Sequence, residues 1–249
     1  AADNARNKVI EAEKQNLLVV AKQLAQQQSL VIERVNNLLS LLAIEPRLRQ
    51  PARSDCVEYL RMFSARLPEQ YDEIQVLQPD GSLACSSLPI AQELNAGDRA
   101  GFGAALAVER SVAGDAMVSR STGARVLPVY RALRDDAGTV KSVISISIET
   151  SRFVRTIVDA RLPAGTNVGL IDSKGMVVVR HPDPDGWTGR DASRMPLFTV
   201  LSAQREPGVA ETAGLDGAAR IIAFVPLARP LEGQLTLFVS EPVDAITGA

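Results

Sequence analysis

The side chains that most often carry chemistry are few in this sequence. One histidine, His181, and two cysteines, Cys56 and Cys85, occur in 249 residues, too few to build a tetrahedral zinc site of Cys and His. His181 lies in Arg180-His181-Pro182-Asp183-Pro184-Asp185-Gly186, which reads as a solvated hairpin loop rather than a setting for an acid or base. Asp183 and Asp185 before Gly186 resemble a calcium loop, but His181 takes the first ligand position and Ala192 the last, where an acid is needed. Gly101-Phe102-Gly103 begins like a nucleotide loop, yet Leu106 stands where the third glycine belongs and no strand runs directly into it. Neither a phosphate-binding Gly-x-x-x-x-Gly-Lys nor a Gly-x-Ser-x-Gly elbow occurs. Trp187, the single tryptophan, reads as a loop anchor. The expectation is a domain with no catalytic residue, no metal and no cofactor, hence not an enzyme. Cys56 and Cys85 could pair in an oxidising compartment; the preferred reading is two buried free thiols.

What remains is binding, and the residue that offers it is Arg99. A guanidinium gives a carboxylate two parallel charge-assisted hydrogen bonds, and Arg99 falls in a segment, Asp98 to Val108, that reads as a short helix covering a sheet. On residue types alone, a surface arginine paired with Asp98 or Glu109 explains it equally well.

These residues must be positioned by a chain rich enough in apolar side chains, 46%, to build sizeable cores. Its 27 basic and 29 acidic residues nearly cancel and form no basic face with interleaved aromatics, which argues against nucleic acid as a partner. No apolar run approaches the ~18 residues of a membrane span. The chain opens at Ala1 and closes without a stop signal, as if trimmed, so a targeting or membrane segment could lie in absent flanks.

The organising element runs from about Asn4 to Ile44. Leu17, Ala21, Leu24, Val31, Val35, Leu38 and Leu42 recur in steps of four and three, with Gln28 at the one polar position, which is the seam of a long helix. A second row, Leu18, Ala25, Ile32 and Leu39, widens the apolar face, so the helix is expected to pack on its own chain and also to meet a twin in a homodimer. Such a rod, roughly 60 Å long, could serve two domains. It should stop at Pro46 and be followed by a loop, Arg47 to Arg53. Asp55 and Glu58 form a plausible capping box for a helix with Val57, Leu60, Phe63 and Leu67 on one face, closed by Pro68.

Strand texture follows: Ile74 to Leu77, a turn at Pro79-Asp80-Gly81, Leu83 to Ser86, then Ala116 to Arg120, Arg125 to Leu133 and Val140 to Ile148. Thr150 to Arg161 returns to helical spacing with Phe153, Ile157 and Val158 on one side, and strand texture begins again at Asn167. The two strand regions repeat each other. Gly81, Gly114 and Gly123 recur as Gly175, Gly208 and Gly217 at one shared offset, 94 residues (175 − 81), and Ile74, Val76, Leu83 and Leu133 meet Val168, Leu170, Val177 and Leu227. The fold class expected is α+β: a long amino-terminal helix packed along two tandem five-stranded antiparallel units.

A long helix laid along two tandem PAS-like units resembles the double Cache (PDC) extracytoplasmic sensor domains of bacterial histidine kinases, diguanylate cyclases and chemoreceptors. The specific pieces are Asp98-Arg99-Ala100-Gly101-Phe102, similar to the family's Asp-Arg-x-Tyr-Phe, Ser119-Arg120-Ser121-Thr122-Gly123 before a strand, Gly138 with Val143 to Ile148, and Ile171 to Arg180 in the second unit. The resemblance implies a spine helix over 1–46, a membrane-distal unit over 47–149, a linker helix over 150–164 and a membrane-proximal unit over 165–249.

In amino-acid-sensing members an arginine followed by two aromatics holds the ligand carboxylate, and two aspartates on later strands take its ammonium. Carried over, Arg99 keeps the carboxylate position and Phe102 the second aromatic, while Gly101 replaces the first and would leave room for the ligand's body. Ser119 stands at the first aspartate, Met117 at a neighbouring tyrosine and Ser147 at the second aspartate, with Tyr130 as further polar lining. With both acids replaced by serine, the resemblance implies a small anionic, carboxylate-type ligand without an α-amino group. In the second unit the constant offset puts Ser193 at the arginine position and Pro196 at the aromatic, which implies an empty, transmitting unit. The implied function is an extracytoplasmic, periplasmic sensor domain of an inner-membrane receptor with flanking transmembrane helices, first a sensor histidine kinase, alternatively a diguanylate cyclase or chemoreceptor. A dimerisation module without a ligand is the reading from another class.

Overall fold

In the computed structural model, residues 2–51, 53–67, 71–89, 94–227 and 234–247 are described. Helix α1 spans Ala2–Leu42. Most of its two apolar rows are buried within the single chain: Leu17, Ala21, Leu24, Ala25, Gln28, Val31, Ile32, Val35, Leu39 and Leu42. Leu18 and Leu38 of the same rows are half-buried. Among the described side chains, the exposed large apolar ones on α1 are Val9, Val19, Leu30 and Leu41. None of the helices, among the described residues, is long and apolar enough to cross a membrane.

α1 stops at Leu42, four residues before Pro46. Instead of ending a helix, Pro46 begins one: α2, Pro46–Arg49, starts with the proline at its first turn and with the Glu45 carboxylate accepting from the Arg47 N–H. The expected loop over 47–53 is thus partly helical. α3, Arg53–Ser64, begins two residues before Asp55, which sits in its first turn and accepts from Ser54 rather than capping it; Pro68 lies outside the described residues.

The chain divides into two compact units, one of Val31–Arg152 and one of residues up to Leu30 with those from Phe153 on. In the first, β1 (Tyr71–Leu77), β2 (Leu83–Ser86), helix α4 (Ala100–Ala107), β3 (Val112–Ala113), β4 (Met117–Val118), β5 (Arg125–Arg134) and β6 (Val140–Glu149) form an antiparallel sheet in the order β2-β1-β6-β5-β3, with β4 also on β5. Six strands replace the expected five because the edge strand is broken. Val112 pairs with Tyr130 but Met117 with Val126, a slip of one residue over 114–116 that marks a bulge.

Alternation sorts the sheet's two faces. Ile74, Val76, Val129, Ile144, Ile146 and Ile148 are at most 1% exposed on the side where α2 packs on β5 and β6 and α3 on β2. The other face carries Leu77, Tyr130, Ala132 and Val143 in a core with Phe102 and Ala105 of α4. Cys56 of α3 and Cys85 of β2, expected as free thiols, are joined in a disulfide with Cα atoms 6.1 Å apart. Both were rightly expected to be buried; the packing of α3 on β2 is what brings them together.

In the second unit, α5 (Thr150–Asp159), β7 (Asn167–Asp172), β8 (Val177–His181), α6 (Pro184–Trp187), α7 (Pro196–Ser202), β9 (Gly208–Ala213), β10 (Ala219–Pro226), β11 (Leu235–Pro242) and α8 (Val243–Thr247) follow. The sheet order β8-β7-β11-β10-β9 repeats that of the first, antiparallel throughout. Lys14 of α1 pairs with Glu211 of β9, and the buried Gln28 amide reaches the Phe153 carbonyl.

Candidate functional site

On the α4 face of the first sheet, β1 offers Glu73, Gln75 and Leu77, alternate residues of one strand. β6 places Ser147 opposite Glu73 and Ser145 opposite Gln75, and β5 places Tyr130 opposite Ser145. Toward Leu77 this face is closed by Phe102, Ala105 and Val112. Toward Glu73 it opens into a small cleft with a cavity volume of about 40 Å³, whose walls include Glu73, Gln75, Asn95, Arg99, Met117, Ser119, Arg120, Tyr130 and Ser147.

Five of the six residues expected from sequence, Arg99, Met117, Ser119, Tyr130 and Ser147, thus line one cleft. Phe102 does not; it is 3% exposed inside the apolar core. Gly101 leaves no room for a ligand either. A Cβ there would lie 2.5 Å from Gly114 Cα and 3.0 Å from the Tyr130 ring, so the space is already taken by backbone and phenol.

Arg99 is the N-cap residue of α4 but makes no side-chain capping bond. Its guanidinium pairs only loosely with Asp98, at 3.7 Å, while Arg120 holds the same carboxylate at 2.7 Å and also donates to the Asn95 carbonyl. The Arg120 hydrogen bond holds the Asp98 carboxyl below its ordinary range, with the charges of Arg120 and then Arg99 adding to it. Tyr130 is 3% exposed, and burial pushes its phenol up to about 12. It is a hydroxyl donor at any physiological pH. Ser119 accepts from the N–H groups of Ser121 and Thr122, so its oxygen is committed to the turn and its proton is what it can offer a ligand.

Sequence reasoning missed Glu73, which corrects the premise that serines have emptied the site of acids. It is 3% exposed and accepts a hydrogen bond from the Ser86 hydroxyl. The signal was present in the alternation Glu73, Gln75 and Leu77 against Ile74 and Val76: a charged residue on the inner face of a strand two positions from a core leucine.

The second unit differs at the matching place. The bridge Ser82–Asn95 has its counterpart in Met176–Asp191, two residues beyond the constant offset. The N-cap of α7 is accordingly Met195, and Met195 and Phe198, not Ser193 and Pro196, correspond to Arg99 and Phe102. Trp187 packs against this unit's core with the guanidinium groups of Arg180 and Arg190 5.1 and 5.3 Å from its ring.

No family model and no curated protein matches the sequence. Solved structures do. The extracellular domain of rpHK1S-Z16, assigned as a histidine kinase, has a TM-score of 0.76 at 23% identity, covering 95% of this chain and 97% of that one. The ligand-binding domain of the Pseudomonas fluorescens chemoreceptor CtaA, in complex with L-isoleucine, gives 0.75 at 15% identity and 98% of both chains. That of the Pseudomonas aeruginosa PAO1 amino acid chemoreceptor PctC, in complex with GABA, gives 0.65 at 18% identity, covering 92% of this chain and 98% of that one. The structural neighbours are extracellular ligand-binding domains of histidine kinases and chemoreceptors, and the likeness is one of fold.

Proposed function

We propose that this chain is the extracytoplasmic ligand-binding sensor domain of a transmembrane signalling receptor, a sensor histidine kinase before a diguanylate cyclase or chemoreceptor, and that the cleft of its first unit recognises a small carboxylate. The observation that carries this reading is the loosely paired Arg99 guanidinium in the cleft wall, in company with two hydroxyl donors, Tyr130 and Ser119. An arginine fork and two O–H donors suit a planar oxyanion. The Cys56–Cys85 disulfide fits an oxidising, extracytoplasmic compartment, and the ligands named in the chemoreceptor structures, L-isoleucine and GABA, are carboxylates.

Ligand would act through the difference in its affinity for two arrangements of the cleft, passed to membrane helices flanking the chain in the full-length receptor. If two copies pair along α1, the contact would draw on its exposed large apolar side chains, Val9, Val19, Leu30 and Leu41, since most of the broader apolar rows is buried.

The test is a thermal-shift screen of the purified domain against carboxylates, amino acids, amines and phosphate, with calorimetry on hits. A ligand at a hundredfold over its dissociation constant adds roughly 2.7 kcal/mol of stability. The expected result is a carboxylate-bearing hit that Arg99→Ala abolishes. A silent panel, or a hit indifferent to Arg99→Ala, would refute the assignment.

A further inference from the structure

We propose that the second unit holds a small-molecule site of its own, at the end of its sheet where the first unit is sealed, and that this site takes an uncharged molecule with a cyclic apolar body. The two units can be compared position by position. Leu77, Val143 and Ala132 lie side by side on β1, β6 and β5; Ile171, Thr236 and Pro226 lie in the same way on β7, β11 and β10. Matching the N-caps Arg99 and Met195 sets Phe102 and Ala105 of α4 against Phe198 and Leu201 of α7. In the first unit these five residues belong to one closed core. In the second, all five counterparts line a cavity of about 550 Å³, a volume typical of small-molecule sites, where the cleft of the first unit has about 40 Å³.

Two differences of sequence accompany the opening. Arg134 donates to the Leu106 and Val108 carbonyls and so ties the end of α4 to β5; the residue after Leu227, the match of Leu133, is Ala228, which has no side-chain donor. The connection from helix to next strand also grows by one residue, from 108–111 to 203–207, and Gln204 to Pro207 join the cavity wall. The other end of the same face, the counterpart of the first unit's cleft, is taken up by the chain itself. Asn167 and Ser240 stand there where the first unit has Glu73 and Ser147, and Asp216 binds Arg220 at 2.6 Å, accepts from Asn167 and has Arg180 at 3.9 Å. The chemistry of the wall selects the occupant. Ile171, Phe198, Leu201 and Leu227 are apolar, while the Ser202 and Thr236 hydroxyls and the Gln204 amide can both donate and accept. Charge gives little grip: Arg205 and Glu206 are adjacent, exposed and opposite in sign, and Asp172 accepts from the Lys174 and Met176 N–H groups of its own turn. An ion would shed its hydration against apolar side chains; a neutral ring bearing a hydroxyl or carbonyl would not.

Saturation-transfer NMR and then calorimetry on the purified domain test this, with benzyl alcohol, indole and cyclohexanol as neutral probes and benzylamine and benzoate as the charged partners of benzyl alcohol. At least one neutral probe should bind with a dissociation constant of about 1 mM or tighter, and benzyl alcohol should bind at least about fivefold tighter than either charged partner. Ser202→Trp, at an exposed position on the cavity wall, and Thr236→Phe, in its floor, fill the space and should each weaken neutral binding about tenfold or more; Ser202→Trp serves if Thr236→Phe does not fold. Arg99→Ala should change neutral binding less than about twofold, which separates this site from the cleft of the first unit whatever that cleft binds. Absence of neutral binding at 10 mM probe, charged partners that bind as well as benzyl alcohol, or binding that survives Ser202→Trp or disappears in Arg99→Ala overturns the proposal.

Discussion

Tyr130 shows what a single side chain contributes. Its ring fills the corner between Gly101 and Gly114 and the residue also lines the cleft, so it belongs to core and candidate site together. Because burial raises its phenol from 10.0 to about 12, the folded state favours the protonated form more than the unfolded chain does. The stability this confers is complete below pH 10 and fades as pH rises to about 12, and two pH units are worth about 2–3 kcal/mol. Following phenolate absorbance, one of the three tyrosines should titrate last, after the other two, and Tyr130→Phe should remove that final step. A Tyr130→Phe protein that keeps the late step would place the perturbed phenol elsewhere. The cleft was only partly legible at this scale. Arg99, Ser119, Ser147, Met117 and Tyr130 stand at positions a resemblance could point to; Glu73 does not, because no motif marks it and only its strand alternation gives it away.

Between elements, α4 approaches the sheet through a pair of glycines. A Cβ at Gly114 would lie 2.8 Å from the Tyr130 ring and 2.9 Å from Pro128, and one at Gly101 would meet Gly114 itself. Gly101→Ala should therefore cost about 1–3 kcal/mol through displacement of α4, seen as a lower urea midpoint, whereas Gly103→Ala, which meets nothing within 4 Å, should be neutral or slightly stabilising. Equal effects from the two substitutions would mean that the contact does not set the approach of α4. The repeat explains why such glycines could be found in advance but not understood. Gly81 and Gly175, like Gly123 and Gly217, share positive φ and are turn glycines, as their spacing suggested. Gly114 and Gly208 share something else, a ring laid over the backbone, Tyr130 in one and Phe224 in the other, and no local pattern reports that. The same blindness hid the two-residue insertion that moves Arg99's counterpart from Ser193 to Met195.

At the scale of the molecule, helix periodicity and the 94-residue offset were enough to foresee one long helix and two similar antiparallel sheets, because both depend on residue type and spacing along the chain. Distances across the chain were not legible. Cys56 and Cys85, 29 residues apart, looked like two thiols until α3 was laid on β2. Closing a loop of this length should stabilise the chain by about 3–4 kcal/mol, so a Cys56→Ser/Cys85→Ser protein should unfold at correspondingly lower urea by far-UV circular dichroism; a loss below about 1 kcal/mol would contradict that. Likewise the breadth of α1's apolar face announced burial, but only the fold shows that burial takes most of both rows, with Leu18 and Leu38 half-buried and Val9, Val19, Leu30 and Leu41 exposed.

The lone tryptophan has a use of its own. Trp187 belongs to the unit that starts again at Phe153, while every residue of the ligand cleft falls within Val31–Arg152. The fluorophore thus lies in one unit and the candidate cleft in the other. Indole emission followed while a candidate ligand is added therefore reports on the unit that does not hold the cleft, without any chemical labelling.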